Sequence, residues 1–397
     1  MACTVLSPHK GLPIHSYSLV RNGEGLRKGR WILGLVVLVA LAALVLWGRN
    51  RIHFDFGVFR TQVALADWRK IVLGAGCIYL AYAFRSARWA LLLRHTRKVG
   101  PLSLVGTQVM GFTAVALIGR VADPVRPYLV SKKTGLPLAS QIAVYIVERL
   151  MDAGTMALIF SVAMIWVPAD EILKATAHSG WLAALALHHR LLALFAARFG
   201  GLVLTVLGAL FLVAVRLAGG AVASFFEHLL NPISKNLAQS AGHKIRTFHS
   251  GLDIMRSFSD FVAAASISIA MWLLIALAYF VTIRAFVASP ELASVAPPKC
   301  VLLMIASGSA SILQLPVIGW FSQIGLVAVA LAAVLGASAE AATACGATLL
   351  LVTFLGIVPV GLVWAQIEHV SLRKVTVESE HAEEALVIPD EAGAAKP

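Results

Sequence analysis

Charge is scarce in this chain. Asp, Glu, Lys and Arg make up 13% of its 397 residues and hydrophobic types 59%, against roughly a quarter and about half in soluble domains. So few charges cannot cover so much apolar surface, which excludes a water-soluble globular fold. The mean hydropathy of +0.83 points to the bilayer instead. Cysteine is scarce too. Cys3, Cys77, Cys300 and Cys345 form no C-x-x-C pair and mostly lie in apolar runs, so buried free thiols are expected in place of a metal site.

The common catalytic signatures are missing: no H-E-x-x-H, no G-x-S-x-G, no P-loop, and no G-x-G-x-x-G after a strand. The pair His188–His189, beside Arg190, lies on an extramembrane stretch and makes a poor ligand set. A non-enzymatic protein with no cofactor and no metal is therefore expected. Acidic residues are outnumbered, 20 against 33 Lys and Arg. The basic residues form short clusters between apolar runs, with no RNA- or DNA-binding signature. That suits cytoplasmic loops against anionic lipid and argues against nucleic acid as a partner.

What the chain has in abundance is long apolar runs. Residues 1–30 are polar and basic, too long and hydrophilic for the leading part of a cleaved signal peptide. WILGLVVLVALAALVLW (31–47) reads as a retained first span, since about 17–25 apolar residues cross a bilayer. Further runs fall near 71–93, 102–119, 141–167, 195–217, 261–287, 300–318, 323–336 and 343–366. The run 102–119 is short and carries Gly106 and Gly111. The run 300–336 is interrupted by LQLPVIGWFSQIG, where Pro316 and Gly319 are expected to break a helix. Backbone broken at membrane depth persists only when buried in protein or lining a wet cavity, so both regions read as re-entrant. The expected fold is all-α: a polytopic transmembrane helical bundle of about six full crossings plus re-entrant or broken segments. One broken segment per half fits an inverted repeat, although the halves share no clear sequence similarity.

Charge bias sets the expected orientation. The basic N-terminal segment, Arg94, Arg97 and Lys98, and Lys132 and Lys133 are placed inside, as are amphipathic helices over 219–259. The loops near 168–194 and 288–299 are placed outside, with both termini cytoplasmic, in a bacterial inner membrane. The basic stretch 48–70 runs against this scheme, because the order of spans puts it outside. Residues 367–397 form a polar tail with the composition of a disordered segment, leaving 31–366 as the membrane domain.

One stretch concentrates the charge that the rest lacks. GRVADPVRPYLVSKKTGLPLASQIAVYIVERLMDAG (119–154) gathers Arg120, Asp123, Arg126, Glu148, Arg149 and Asp152. Glu148 and Asp152 stand one helical turn apart on one face, and Arg149 is close enough in sequence to reach Asp152. Each charge at the bilayer centre costs roughly 2.5–3.5 kcal/mol. A helix starting near Ser140 puts this group roughly 12–18 Å along it. Snorkelling to the interface is the bland alternative, but Asp152 is too short for it, and Ala153–Trp166 alone would not complete the crossing. Pro124 and Pro127 are expected to keep the 119–126 stretch a loop. An Arg there can hold a lipid phosphate, and a carboxylate an amine or a sugar hydroxyl. The six residues are thus candidate substrate-binding groups sharing one polar cavity, with mixed charge suited to a zwitterionic or phosphate-linked headgroup. Arg85 and Arg88 either snorkel or join the headgroup site.

These residues carry a resemblance. Ile118-Gly119-Arg120-Val121-Ala122-Asp123-Pro124-Val125-Arg126, followed by Glu148-Arg149-Leu150-Met151-Asp152, is similar to the P-G-R-x-G-[DE]-x-x-R and E-R-x-x-D pattern of lysylphosphatidylglycerol synthase transmembrane domains and their flippase-like standalone homologues. AYAFRSARWALLL (81–93) resembles that family's second span. The family's P-x-P-G-G-x-G-x-x-E segment keeps only Pro316 and Gly319 here, and loses its acidic residue. The resemblance adds Arg85, Arg88, Pro316, Gly319 and Gln323 as secondary site candidates. It implies a transporter moving a phospholipid or isoprenoid-linked lipid or glycolipid, with a separate lipid-modifying or glycosyl-transferring enzyme as a further partner. The alternative is a membrane enzyme, or a non-transporting partner of one, acting on isoprenoid-phosphate-linked sugars or aminoacylated phospholipids. The synthases carry a soluble aminoacyltransferase domain after the membrane part. Only a short tail follows the last span here, so that activity is not expected.

Overall fold

The computed structural model describes residues 54–170, 190–232, 234–235, 238–240, 242, 258–310, 318–371 and 375–379. The first span at 31–47, His188–His189, Pro316 and most of the 367–397 tail lie outside them. Met1–Asp55 forms one unit and Phe56–Pro397 another. Among the described residues there are helices and no strand, as the composition implied.

Local chemistry sets the first elements. Helix α1 (Phe56–Ala64) leads to Asp67, whose carboxylate accepts the Arg69 backbone N–H at 3.1 Å and caps α2 (Trp68–Leu93). Helix α3 (Pro101–Ile118) has proline at its first position, where no N–H is needed, and stops at Gly119, held at φ 97°. A 3-10 turn (Arg120–Ala122) follows, then α4 (Val125–Thr134), closed by Gly135 in the left-handed region at φ 66°. The long α5 (Leu138–Ile165) comes next.

Two expectations change here. Gly106 and Gly111 do not break α3; they let neighbours come close. A side-chain carbon at Gly106 would run into the Trp364 ring, and one at Gly111 into the Arg126 stem. Pro127 does not keep its stretch a loop. It occupies the first turn of α4, where the missing N–H has no helical partner to lose. Arg97, just before α3, donates to the carbonyl of Thr134, the last residue of α4. The α3–α4 hairpin therefore enters and leaves at one end of the bundle.

Helix α6 (Arg190–Leu230) is 41 residues long and kinked at Ala218. The kink falls between the expected span 195–217 and the expected amphipathic region, so a bend replaces a loop there. Then come α7 (Phe258–Ile283), the short α8 (Pro290–Ala293), α9 (Pro297–Ala310) and α10 (Ile318–Leu335). Gly319 sits inside the first turn of α10 rather than breaking it. A π-turn (Leu351–Leu355) separates α11 (Ala339–Leu350) from α12 (Ile357–Ile367).

Leu204, Leu207, Leu210, Leu273 and Val329 lie exposed on α6, α7 and α10. That apolar surface suits lipid and would not suit water. By length and composition, Pro101–Ile118, Leu191–Phe211, Ser259–Ile283 and Ala339–Ile367 can each cross a membrane. Helices α2 and α5, at 26 and 28 residues, are as long but carry the charged groups.

One end of the bundle is basic. There Arg94 pairs with Asp260, His95 Nε2 lies 2.6 Å from Asp260 Oδ2, and Lys133 Nζ lies 2.6 Å from Glu368 Oε1. The described part of 48–70 sits at the other end, where the Asp67 backbone N–H donates to the Ala285 carbonyl at 2.8 Å. Residues 375–379 are helical, which corrects the expectation of a disordered tail at that point. Val375 is buried in a cluster with Leu129 and Ala365, and Glu378 Oε2 accepts from the Tyr128 hydroxyl at 2.7 Å and from Lys132 Nζ at 3.1 Å.

Candidate functional site

Helix periodicity puts Glu148 and Asp152 on one face of α5, and that face is buried, at 1% and 5% exposure. Glu148 is ten residues into α5, about 15 Å from its start. Facing it are Arg85 and Arg88 from α2 and Arg126 from the first turn of α4. Arg88 Nη1 donates to Asp152 Oδ1 at 2.7 Å and its Nη2 to Glu148 Oε1 at 2.9 Å. Arg126 Nη2 donates to Glu148 Oε2 at 2.6 Å. Arg85 Nη1 reaches both carboxylates, at 3.4 Å and 3.5 Å.

Neutral groups complete the network. Ser268 on α7 accepts from Arg88 Nη1 at 2.6 Å and donates to the Ala264 carbonyl at 2.8 Å. Trp272, one turn further, donates its ring N–H to Asp152 Oδ1 at 3.2 Å. Gln108 of α3 accepts from Arg126 Nε at 3.0 Å. The Phe112 ring lies 4.5 Å from the Arg126 guanidinium carbon and 4.8 Å from that of Arg85, so its face stabilises both cations.

Two consequences follow from counting. All four carboxylate oxygens accept hydrogen bonds from the protein, so neither Glu148 nor Asp152 has an oxygen left without a donor. The donors are in surplus: Arg126 Nη1, Arg88 Nε and Gln108 Nε2 are buried without a partner. Three guanidinium groups face two carboxylates, an excess of one positive charge in a site shut off from solvent. Buried unpartnered donors beside an uncompensated cation are costly unless something anionic satisfies them.

The sequence placed six charges in one cavity, whereas the structure divides them. Arg126, Glu148 and Asp152 lie in the buried network. Arg120, Asp123 and Arg149 form a separate, more exposed group at the tip of the α3–α4 hairpin, with Arg149 Nη2 at 3.2 Å and Arg120 Nη1 at 3.8 Å from Asp123. Arg149 does not reach Asp152, since one residue step turns it about 100° away from the Glu148 face. Arg85 and Arg88 do not snorkel; at 8% and 0% exposure they are the core of the network. The sequence reading missed Gln108, Ser268 and Trp272. Ser268 and Trp272 stand one turn apart on α7, and Gln108 is a lone amide in an apolar run, which were the available signals.

The secondary candidates lie elsewhere. Gly319 and Gln323 are both on α10; Gln323 is buried and donates to Ser307 at 3.4 Å. Trp320, between them, donates its ring N–H to the Ala116 carbonyl near the end of α3 at 3.0 Å. The start of α10 thus meets the tip of the α3–α4 hairpin inside the bundle.

The family described as Lysylphosphatidylglycerol synthase TM region matches residues 31–363, a range that contains every charged residue of both groups. No curated protein and no solved structure matches the chain. On the strength of that match, which covers most of its length, the chain belongs to the lysylphosphatidylglycerol synthase transmembrane family, integral membrane proteins related to lipid handling.

Proposed function

We propose that the protein is a flippase-like carrier that relocates the phosphate-bearing headgroup of a membrane lipid between leaflets. The observation that carries this reading is the surplus of buried donors and positive charge at Arg88, Arg126 and Gln108. A lipid phosphate offers what they lack: negative charge and several acceptor oxygens, which Arg binds in a forked geometry. Held there, the phosphate is spared the desolvation that makes unaided passage slow, while the acyl chains stay in the bilayer. The lipid is a phospholipid or an isoprenoid-linked phosphate, in the inner membrane of a bacterium, with the basic end of the bundle and both termini on the cytoplasmic side.

Glu148 and Asp152 act here by orienting the arginines. Their oxygens are occupied, so they serve neither as general bases nor as receptors for a substrate amine, and no covalent step is part of the function. Arg120 and Arg149 act at the hairpin tip as an outer contact for the same anion. The test is relocation of phosphatidylglycerol in proteoliposomes, read with a membrane-impermeant reagent that modifies outer-leaflet headgroups. The wild-type protein should expose the inner-leaflet pool, and Arg126→Met should not. Wild-type vesicles that protect the inner pool as well as protein-free vesicles would end the proposal.

A further inference from the structure

Arg126 sits among three aromatic rings. Its guanidinium carbon lies 4.5 Å from the centre of the Phe112 ring and 5.4 Å from those of Trp89 and Tyr145. Two of these rings are tied down within the inner network. Trp89 is fully buried, and its ring N–H donates to Gln141 at 3.1 Å. Phe112 is shared with Arg85 and packs edge-on against Tyr82, with ring centres 5.1 Å apart. Tyr145 differs. It is only partly buried, and its ring also meets the outer group, with the Arg149 guanidinium carbon 4.9 Å from its centre.

The phase of α5 puts the ring there. At about 100° per residue, Tyr145 falls about 60° around the helix from Glu148 and about 40° from Arg149, on the arc between the inner and outer faces. Exposure falls along the same path. The side chains of Arg120 and Arg149 are 43% and 34% exposed, Tyr145 is partly buried, and Arg126 is fully buried. Arg126 Nε and Nη2 are hydrogen-bonded to Gln108 and Glu148, which leaves Nη1 as the corner for an incoming anion.

We infer that Tyr145 is the gate between the two arginine groups: its ring shuts the inner site while both cations hold it, and turns aside for a phosphate to pass from Arg149 to Arg126. The inference rests on the ion network being the phosphate station, and it adds how that station is closed. An anion arriving at Arg149 offsets the charge that draws the ring outward, so the ligand itself loosens the gate. Between visits the ring keeps small aqueous anions from the surplus positive charge, as a carrier that does not leak ions requires.

The test sets a cysteine beside Arg126 as reporter, Gln108→Cys with Cys3→Ala in the purified full chain. Its labelling by 2-sulfonatoethyl methanethiosulfonate, a small aqueous anion, is followed by mass spectrometry. With Tyr145 in place labelling should be slow, and Tyr145→Ala should speed it about tenfold, the worth of two cation–π contacts. Tyr145→Leu, which keeps apolar packing but offers no ring face, should speed it as well, whereas Tyr145→Phe should stay as slow as its parent. Buried Cys345 reports a loosened fold and should stay unlabelled throughout. Equal rates with and without the ring, a Tyr145→Phe rate matching Tyr145→Ala, or labelling of Cys345 together with the reporter overturns the gate and leaves the phosphate reading intact. Relocation of phosphatidylglycerol unaffected by Arg126→Met overturns the phosphate station, and this inference with it.

Discussion

The charge imbalance of the ion network makes an asymmetric prediction. Glu148→Gln leaves three guanidinium groups facing one carboxylate, so the buried excess rises from one positive charge to two. Removing one partner of a buried pair costs about 3–5 kcal/mol. Arg126→Met goes the other way. Arg85 and Arg88 remain against Glu148 and Asp152, the excess falls to zero, and Glu148 keeps its 2.9 Å bond from Arg88. The loss is then one charge-assisted bond and the Gln108 contact, offset by removal of an uncompensated cation, or about 1–2 kcal/mol net. With each kcal/mol shifting the midpoint by roughly 2–4 °C in mid-sized domains, Glu148→Gln should melt on the order of 5 °C below Arg126→Met in the same detergent. The double variant restores the wild-type excess and should melt above Glu148→Gln alone. If Arg126→Met melts as low as Glu148→Gln, or the double variant melts lowest, the charge argument is wrong. Asp152→Asn should lower the melting point as well, because the Asp152 oxygens are buried and accept from Arg85, Arg88 and Trp272.

Two further outcomes are expected. Gly111→Ala forces a methyl group into the Arg126 stem and should cost about 1–3 kcal/mol by overpacking while slowing relocation, whereas Gly76→Ala, which meets nothing, should change melting by less than about 0.5 kcal/mol; equal melting of the two would mean that Arg126 is not held where the structure puts it. Cys77, Cys300 and Cys345 are buried and free, so a maleimide should not label them in the folded protein. In a Cys3→Ala background, Lys98→Cys should then label only from the cytoplasmic side, and labelling from outside would invert the proposed orientation.

Much of the fold could be read from composition because the bilayer imposes it. Apolar runs long enough to cross had to become helices, and those at 71–93 and 141–167 correspond to α2 and α5 within a few residues. The errors came from reading glycine and proline as breaks. In the bilayer a helix tolerates glycine well, and what Gly106 and Gly111 contribute is space for Trp364 and Arg126, which depends on helices far away in sequence. Pro127 is harmless for a local reason, its place in the first turn of α4, but that place follows from where Gly119 ends α3. The helix at 375–379 was illegible because Val375 is ordered by Leu129 and Ala365, and nothing in a polar tail announces such partners.

The site was legible in its residue types and illegible in its grouping, and the grouping decides the chemistry. Spacing alone put Glu148 and Asp152 on one face, because four residues is close to one helical turn. It could not say which arginines that face would meet. Taken as one set, Arg120, Arg126 and Arg149 balance Asp123, Glu148 and Asp152, and a neutral cavity of mixed charge invites a zwitterion. The bundle sorts the same residues differently. Arg149 turns to Asp123, Arg85 and Arg88 arrive from α2, and the inner group is left with one positive charge in excess. A cationic headgroup would then meet repulsion at the inner group and no vacant carboxylate there. An anionic headgroup meets unpartnered donors at Arg88, Arg126 and Gln108. What shifts the expected ligand from zwitterion to anion is therefore the phase of α5, which turns Arg149 away from Glu148 and leaves the inner carboxylates to Arg85, Arg88 and Arg126.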